Sequence, residues 1–302
     1  MSEDAAPRRG PVAVVTDSTA TLPAELTGWL AAQPVDLRPA LQTVPLVLVI
    51  GEEEREEPDV TAAALVSALQ ERVRVVTAAP APRAFQRAYA TLAAAGAPAV
   101  VSVHLPLPMS STLSAASTAA RDAPTPVEVV DAGVLGLPLG WAVQAAVESA
   151  SVLADARTVA AAARRVAAES RLWFLVPHLE HLRRGGRLGV GQALVGTALA
   201  VKPVLHVAHG RVELLERVRT TTRARERLVE RAAAHAALLR GRGRRLRVGV
   251  QHLDAAEDAE RLAERVREEL PGVPLEIREI GAVIGAHTGP GVVGIGVGGL
   301  PG

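Results

Sequence analysis

Val12-Ala13-Val14-Val15-Thr16-Asp17-Ser18-Thr19 sets the pattern that the first half of this chain repeats. Val12 to Thr16 is short, apolar and rich in β-branched residues, which suits a buried strand. The polar turn Asp17-Ser18-Thr19 ends it, and Pro23 at a helix start leads into a helical stretch through Ala32. Val44 to Ile50 reads as a second buried strand, followed by an acidic loop from Glu52 to Glu57. Asp59 or Thr61 can cap a helix reaching about Arg72. Val73 to Thr77, Ala99 to His104 and Val127 to Asp131 read as further strands. Helices are expected over Ala84 to Ala95 and in the Ala/Ser/Thr-rich stretch between the last two strands. This alternation predicts a parallel sheet covered by helices.

Two long helical stretches, Gly140 to Leu153 and Thr158 to Ser170, mark an expected junction between domains 1–168 and 169–302. Beyond it the pattern changes. Val204 to Val207, the turn Ala208-His209-Gly210 and Val212 to Val218 read as a β-hairpin. A basic helix from Arg223 to Arg240, a strand from Arg247 to Gln251, a helix from Ala255 to Leu270 and a strand from Leu275 to Ile280 follow. The expectation is an α/β protein whose second domain is α+β with a mixed or antiparallel sheet.

Composition narrows the function. Of 302 residues 49% are hydrophobic and only 2% aromatic, so the core is built from Ala, Val and Leu, and base-stacking platforms are excluded. A net charge of +1 gives no bulk attraction to nucleic acid, and the Arg-rich segment Arg240 to Arg247 reads as a solvated loop. The absence of cysteine rules out disulfides and thiolate chemistry. The polar first ten residues do not read as a signal peptide, and no apolar run is long enough to span a bilayer. A soluble, cytoplasmic protein with at most transient membrane contact is expected.

Polar groups collect at the carboxyl ends of the expected strands: Asp17-Ser18-Thr19, Thr77, His104, Ser110-Ser111-Thr112 and His287-Thr288. Ligands bind there in open α/β sheets, although helix capping is an equally natural role for each of these residues. Arg187 follows Gly185-Gly186, so its guanidinium can be aimed into a cleft to grip a carboxylate or phosphate. The segment Ile284-Gly285-Ala286-His287-Thr288-Gly289-Pro290-Gly291 joins a titratable ring and a hydroxyl to glycines that allow close approach of a ligand. It reads either as an anion site or as a tight turn. The pairs His178/His181 and His206/His209 lack a third ligand, so no metal site is expected. Ser110 with His287 could form a nucleophilic pair, but nothing specifies an orienting acid. The glycine-rich tail Gly294 to Gly299 has no helix after it and does not read as a dinucleotide loop.

Taken in order, Val14-Val15-Thr16-Asp17-Ser18-Thr19, Val44-Pro45-Leu46, Thr77 with Pro80, Ser102-Val103-His104-Leu105, Gly185-Gly186-Arg187, Lys202-Pro203 and His287-Thr288-Gly289-Pro290-Gly291 resemble the DegV family of bacterial fatty-acid-binding proteins. The resemblance runs from about Val12 to Val297. It implies the two-domain DegV (EDD) fold with one long-chain fatty acid held between the domains. It further implies a carboxylate fixed by Thr77, Ser110, Arg187, His287 and Thr288, with no metal, no cofactor and no catalytic residue. As in the binding subunits of fatty acid kinase, the implied partner is a separate, dihydroxyacetone-kinase-like, ATP-dependent subunit that forms an acyl phosphate. A Ser110/His287 hydrolase or transferase, and a lipid-responsive regulatory protein without a kinase, are the alternatives. The chain departs from the family at Ala78-Ala79, in place of Ser-Gln, and at Pro106-Leu107, in place of a Ser pair, so the head-group shell is thinner in hydroxyls.

Overall fold

A computed structural model describes residues 10–188 and 201–300. The polar segment 1–9, read above as carrying no leader, lies outside the described residues, as do 189–200 and 301–302. The first half opens with β1 (Ala13–Asp17), α1 (Leu26–Ala32), β2 (Leu41–Val44), β3 (Val47–Ile50) and β4 (Glu53–Glu56). Then come α2 (Ala62–Gln70), β5 (Val75–Ala78), α3 (Pro82–Ala94) and β6 (Val100–His104). It ends with α4 (Thr112–Ala120), β7 (Val127–Asp131), α5 (Leu137–Ser151) and α6 (Ala156–Glu169). Four strands pair in parallel in the order β2-β1-β6-β7. All of β1 is buried because helices cover both faces of this sheet. Val14, Val101 and Val103 pack against α5 and α6, whereas Ala13, Val15 and Val100 pack against Phe85 and Tyr89 of α3 and the alanines of α4.

Three expectations are corrected here. Val44 to Ile50 is not one strand but two in different sheets, because Pro45 has no N–H for a ladder and Ser18 Oγ takes the Leu46 N–H at 2.9 Å. The chain leaves the parallel sheet at that point. The acidic loop is the exposed strand β4, hairpinned onto β3, and Glu57 just beyond it is buried. Val73 to Thr77 does not join the parallel sheet either: β5 pairs antiparallel with β3, Thr77 opposite Leu48, in a separate three-stranded sheet β4-β3-β5.

The second half contains β8 (Arg171–Leu175), α7 (Glu180–Arg184), β9 (Lys202–Ala208), β10 (Arg211–Val218) and α8 (Thr221–Gly241). It closes with β11 (Arg245–Leu253), α9 (Ala256–Glu269), β12 (Leu275–Glu279), α10 (Ala282–Thr288) and β13 (Val292–Leu300). Six strands form a mixed sheet in the order β10-β9-β8-β13-β11-β12, antiparallel except for β11 with β12. The expected hairpin is β9–β10. The expected loop Arg240 to Arg247 is mostly regular structure; Arg244 bonds Glu169 at 2.8 Å and Arg247 pairs with Glu25, so these cations serve the fold.

Helices α8 and α9 cover one face of the mixed sheet. On the other face Leu172, Phe174, Leu205 and Val292 share a core with Leu46, Leu48 and Leu65 of the first half. The glycine-rich tail is the central strand β13. A Cβ on Gly298 would stand 2.7 Å from Trp141, and one on Gly249 of β11 only 2.2 Å from Leu137, so absent side chains let α5 lie directly on the sheet. No helix among the described residues is long and apolar enough to cross a membrane.

Candidate functional site

The ends of β1 and β6 are locked by a buried polar network. Asp17 accepts from the N–H of Thr19 at 3.0 Å, its hydroxyl at 2.5 Å and the Leu105 N–H at 3.0 Å. His104 Nδ1 lies 2.9 Å from the same carboxylate, its Nε2 2.7 Å from Ser102 Oγ, and Tyr89 donates to that hydroxyl at 2.9 Å. Asp17, His104 and Ser102 are wholly buried, so this serine–histidine–aspartate series joins strands and meets no solvent. It places Thr19 and Leu105, which do face the cavity described next. Asp17 therefore caps no helix, and His104 is structural.

An apolar cavity of about 660 Å³ lies between the mixed sheet, α10 and the carboxyl ends of the parallel strands. Leu46, Phe174, Val207, Val212, Val283 and Ile284 contribute to its wall. Five residues expected at a head-group site, Thr77, Ser110, Arg187, His287 and Thr288, all line it, brought together from β5, the loop before α4, the segment after α7, and α10. The first four are half-buried; exposed Ala78, Ser111, Ser114 and Thr118 complete the rim beside them.

Thr77 Oγ1 and His287 Nε2 are 2.8 Å apart. Burial, and secondarily the Arg187 charge, pull the His287 pKa down to about 4, so the ring is neutral at pH 7. Arg187 Nε donates to the Met109 carbonyl at 3.1 Å and Nη1 to that of Gly185, which hold the guanidinium at the rim. Ser110 Oγ lies 2.8 Å from Thr112 Oγ1 and accepts from the Thr112 N–H at 3.2 Å. Thr288 donates its hydroxyl to the Ile284 carbonyl at 3.1 Å, so toward a ligand it can only accept. His287 thus bonds Thr77, and Ser110 bonds Thr112; the Ser110–His287 pairing that a hydrolase needs is not the one these side chains make.

The Gly-Gly-Arg and His-Thr-Gly-Pro-Gly segments are interlocked. A Cβ on Gly185 would sit 2.2 Å from His287 Nδ1, and one on Gly289, at φ +76°, 2.5 Å from the His181 ring. Each histidine rests on the other segment's glycine, which is why the two motifs are needed together. The departures from the family pattern separate in space. Ala78 and Ala79 line the cavity, whereas Pro106 packs by the hairpin turn at Gly210 and Leu107 is exposed. No group of three or more His, Asp or Glu able to hold a metal occurs among the described residues. Thr19, one of the polar groups expected at strand ends, also lines the cavity, whereas sequence reasoning missed Gln251; its only signal was its inward position in the alternation Val248-Gly249-Val250-Gln251.

Fold and site together define a three-sheet α/β protein with an apolar chamber and the cationic Arg187 at its rim. The chain belongs to the DegV family, described as uncharacterised, which matches residues 11–298. It is 43% identical over 286 residues to a DegV domain-containing protein of Streptomyces coelicolor, covering 94% of this chain and 97% of that one. Among solved structures it resembles a fatty-acid-binding DegV family protein from Thermus thermophilus, with a TM-score of 0.82, 32% identity and coverage of 96% and 100%. It likewise resembles DegV, a fatty acid binding protein from Bacillus subtilis, with a TM-score of 0.83, 28% identity and coverage of 96% and 99%.

Proposed function

We propose that this chain is a non-catalytic carrier that holds one long-chain fatty acid between segments 1–168 and 169–302. The observation that carries the reading is Arg187, with the neutral His287–Thr77 pair, in the wall of an apolar cavity of about 660 Å³. The fatty acid binding described for the Thermus thermophilus and Bacillus subtilis relatives supports it. At about 0.8 kcal/mol per buried methylene, a chain of roughly sixteen carbons gains on the order of 10 kcal/mol gross. The head-group residues then need only keep the carboxylate from being stranded without partners, and a guanidinium does this best. Thr77 and Ser110 add hydroxyls.

The carboxylate end lies at the rim, within reach of a separate, dihydroxyacetone-kinase-like, ATP-dependent subunit in the cytoplasm. One carboxylate oxygen would attack the γ-phosphorus of ATP while the bond to the β-phosphate oxygen breaks, giving acyl phosphate and ADP. Neither cofactor nor metal is assigned to the carrier itself.

The test is native mass spectrometry of protein purified without added lipid, followed by organic extraction. One equivalent of a long-chain acid is expected, and Arg187→Ala should lower affinity about ten- to a hundredfold, the worth of a charge-assisted hydrogen bond. A protein that is empty and takes up no added acid would overturn the reading. A lipid-responsive regulator without a kinase is told apart by whether loaded protein, kinase subunit and ATP yield acyl phosphate.

A further inference from the structure

Gln251 lines the cavity from a strand well removed from the one that Arg187 neighbours. Leu188, next to Arg187, bridges to Val212 of β10, whereas Gln251 lies on β11, four strands further across the sheet. At about 4.8 Å per strand spacing these two strand positions are on the order of 20 Å apart. An extended chain advances about 1.2 Å per bond, so an acid of roughly sixteen carbons spans nearly that distance.

Gln251 is buried and held at both amide atoms: Oε1 accepts from the Leu137 N–H at 3.0 Å, and Nε2 donates to Thr21 Oγ1 at 3.1 Å. Gly136 makes room for it, since a Cβ there would stand 2.5 Å from Oε1. The wall behind cannot recede, because Leu137 and Trp141 of α5 already press on Gly249. A longer chain could advance only by displacing the carboxamide and leaving the Leu137 N–H without a partner.

We infer that Gln251 is the stop that sets the length of the acyl chain, a reading that rests on the carrier function proposed above. Its amide oxygen and nitrogen are each tied by a hydrogen bond to the first half of the chain, so it acts as a fixed wall.

The experiment is competition among C14 to C20 acids for delipidated protein, read as ratios of bound species by mass spectrometry. Gln251→Ala and the milder Gln251→Asn, which keeps an amide, should move the preferred length upward. The gain is about fourfold in relative affinity for each methylene newly buried. An unchanged optimum in Gln251→Asn and Gln251→Ala would overturn the assignment of Gln251 alone. A wild-type protein that binds none of the acids would instead remove the carrier reading.

Discussion

His287 is the residue on which head-group chemistry can be read most directly. Its imidazole titrates near 4 because burial and the Arg187 charge both oppose a proton on the ring. In the unliganded protein, the unfolded chain takes up this proton first as pH falls below about 6.5, so stability is lost between there and about 4. A carboxylate seated by Arg187 adds the missing opposite charge, and the pKa of His287 should rise on loading. Affinity then increases as pH falls through the raised value toward 4, by about tenfold for a rise of about one unit. Imidazole NMR titration of delipidated and loaded protein measures this directly. An identical pKa in both forms would place the carboxylate elsewhere.

At the scale of elements, α10 is the piece that brings His287 to the rim, and it is pinned at its start by Glu57. Oε1 of Glu57 accepts from the Val283 N–H at 2.7 Å, while Oε2 has no hydrogen-bond partner. Burial raises this carboxyl to about 7 and Asp17 adds to the shift, while the hydrogen bonds from Ser18 and Val283 oppose it. With a folded pKa above the unfolded one, stability is full below about 4.5 and is lost as pH rises through about 7. Glu57→Gln keeps an acceptor for Val283 and removes the ionisation, so it should be near neutral at pH 5. At pH 8 it should be more stable than wild type by about 2–3 kcal/mol, by denaturant unfolding; the same difference at both pH values would sink the idea. The existence of α10 was hidden in the sequence, because Gly285, Gly289 and Gly291 read as a turn. Gly285 is helical here since its missing side chain lets Leu65 and Leu253 close on the helix. β1, β6, β7 and the β9–β10 hairpin were legible because local alternation and turn residues decide them. The transfer of β3 and β5 to a separate sheet was not, as only tertiary pairing distinguishes a parallel from an antiparallel partner. The same division runs through the site: Thr19, Thr77, Ser110, Arg187 and His287 lie in motifs, whereas Gln251 becomes a lining residue only through the packing of the two halves.

For the whole molecule, the cavity is a gap in a core that both halves share. Leu46, Leu48 and Leu65 from the first half share that core with Leu172, Phe174 and Val292 from the second, and Gln251 is hydrogen-bonded across the same junction. An acyl chain in that space is therefore a core component, and its removal leaves apolar side chains without packing partners. A ligand that binds only the folded state stabilises it by about 3–4 kcal/mol at 100 to 1,000 times its dissociation constant. For a chain of this size each kcal/mol is worth about 2–4 °C, so loading should raise Tm by about 6–16 °C. Because the acyl chain touches both halves, the loaded protein should unfold in one calorimetric transition. If delipidated protein instead melts at the loaded temperature, the acyl chain does not fill the shared core, and the junction is held by its protein contacts alone.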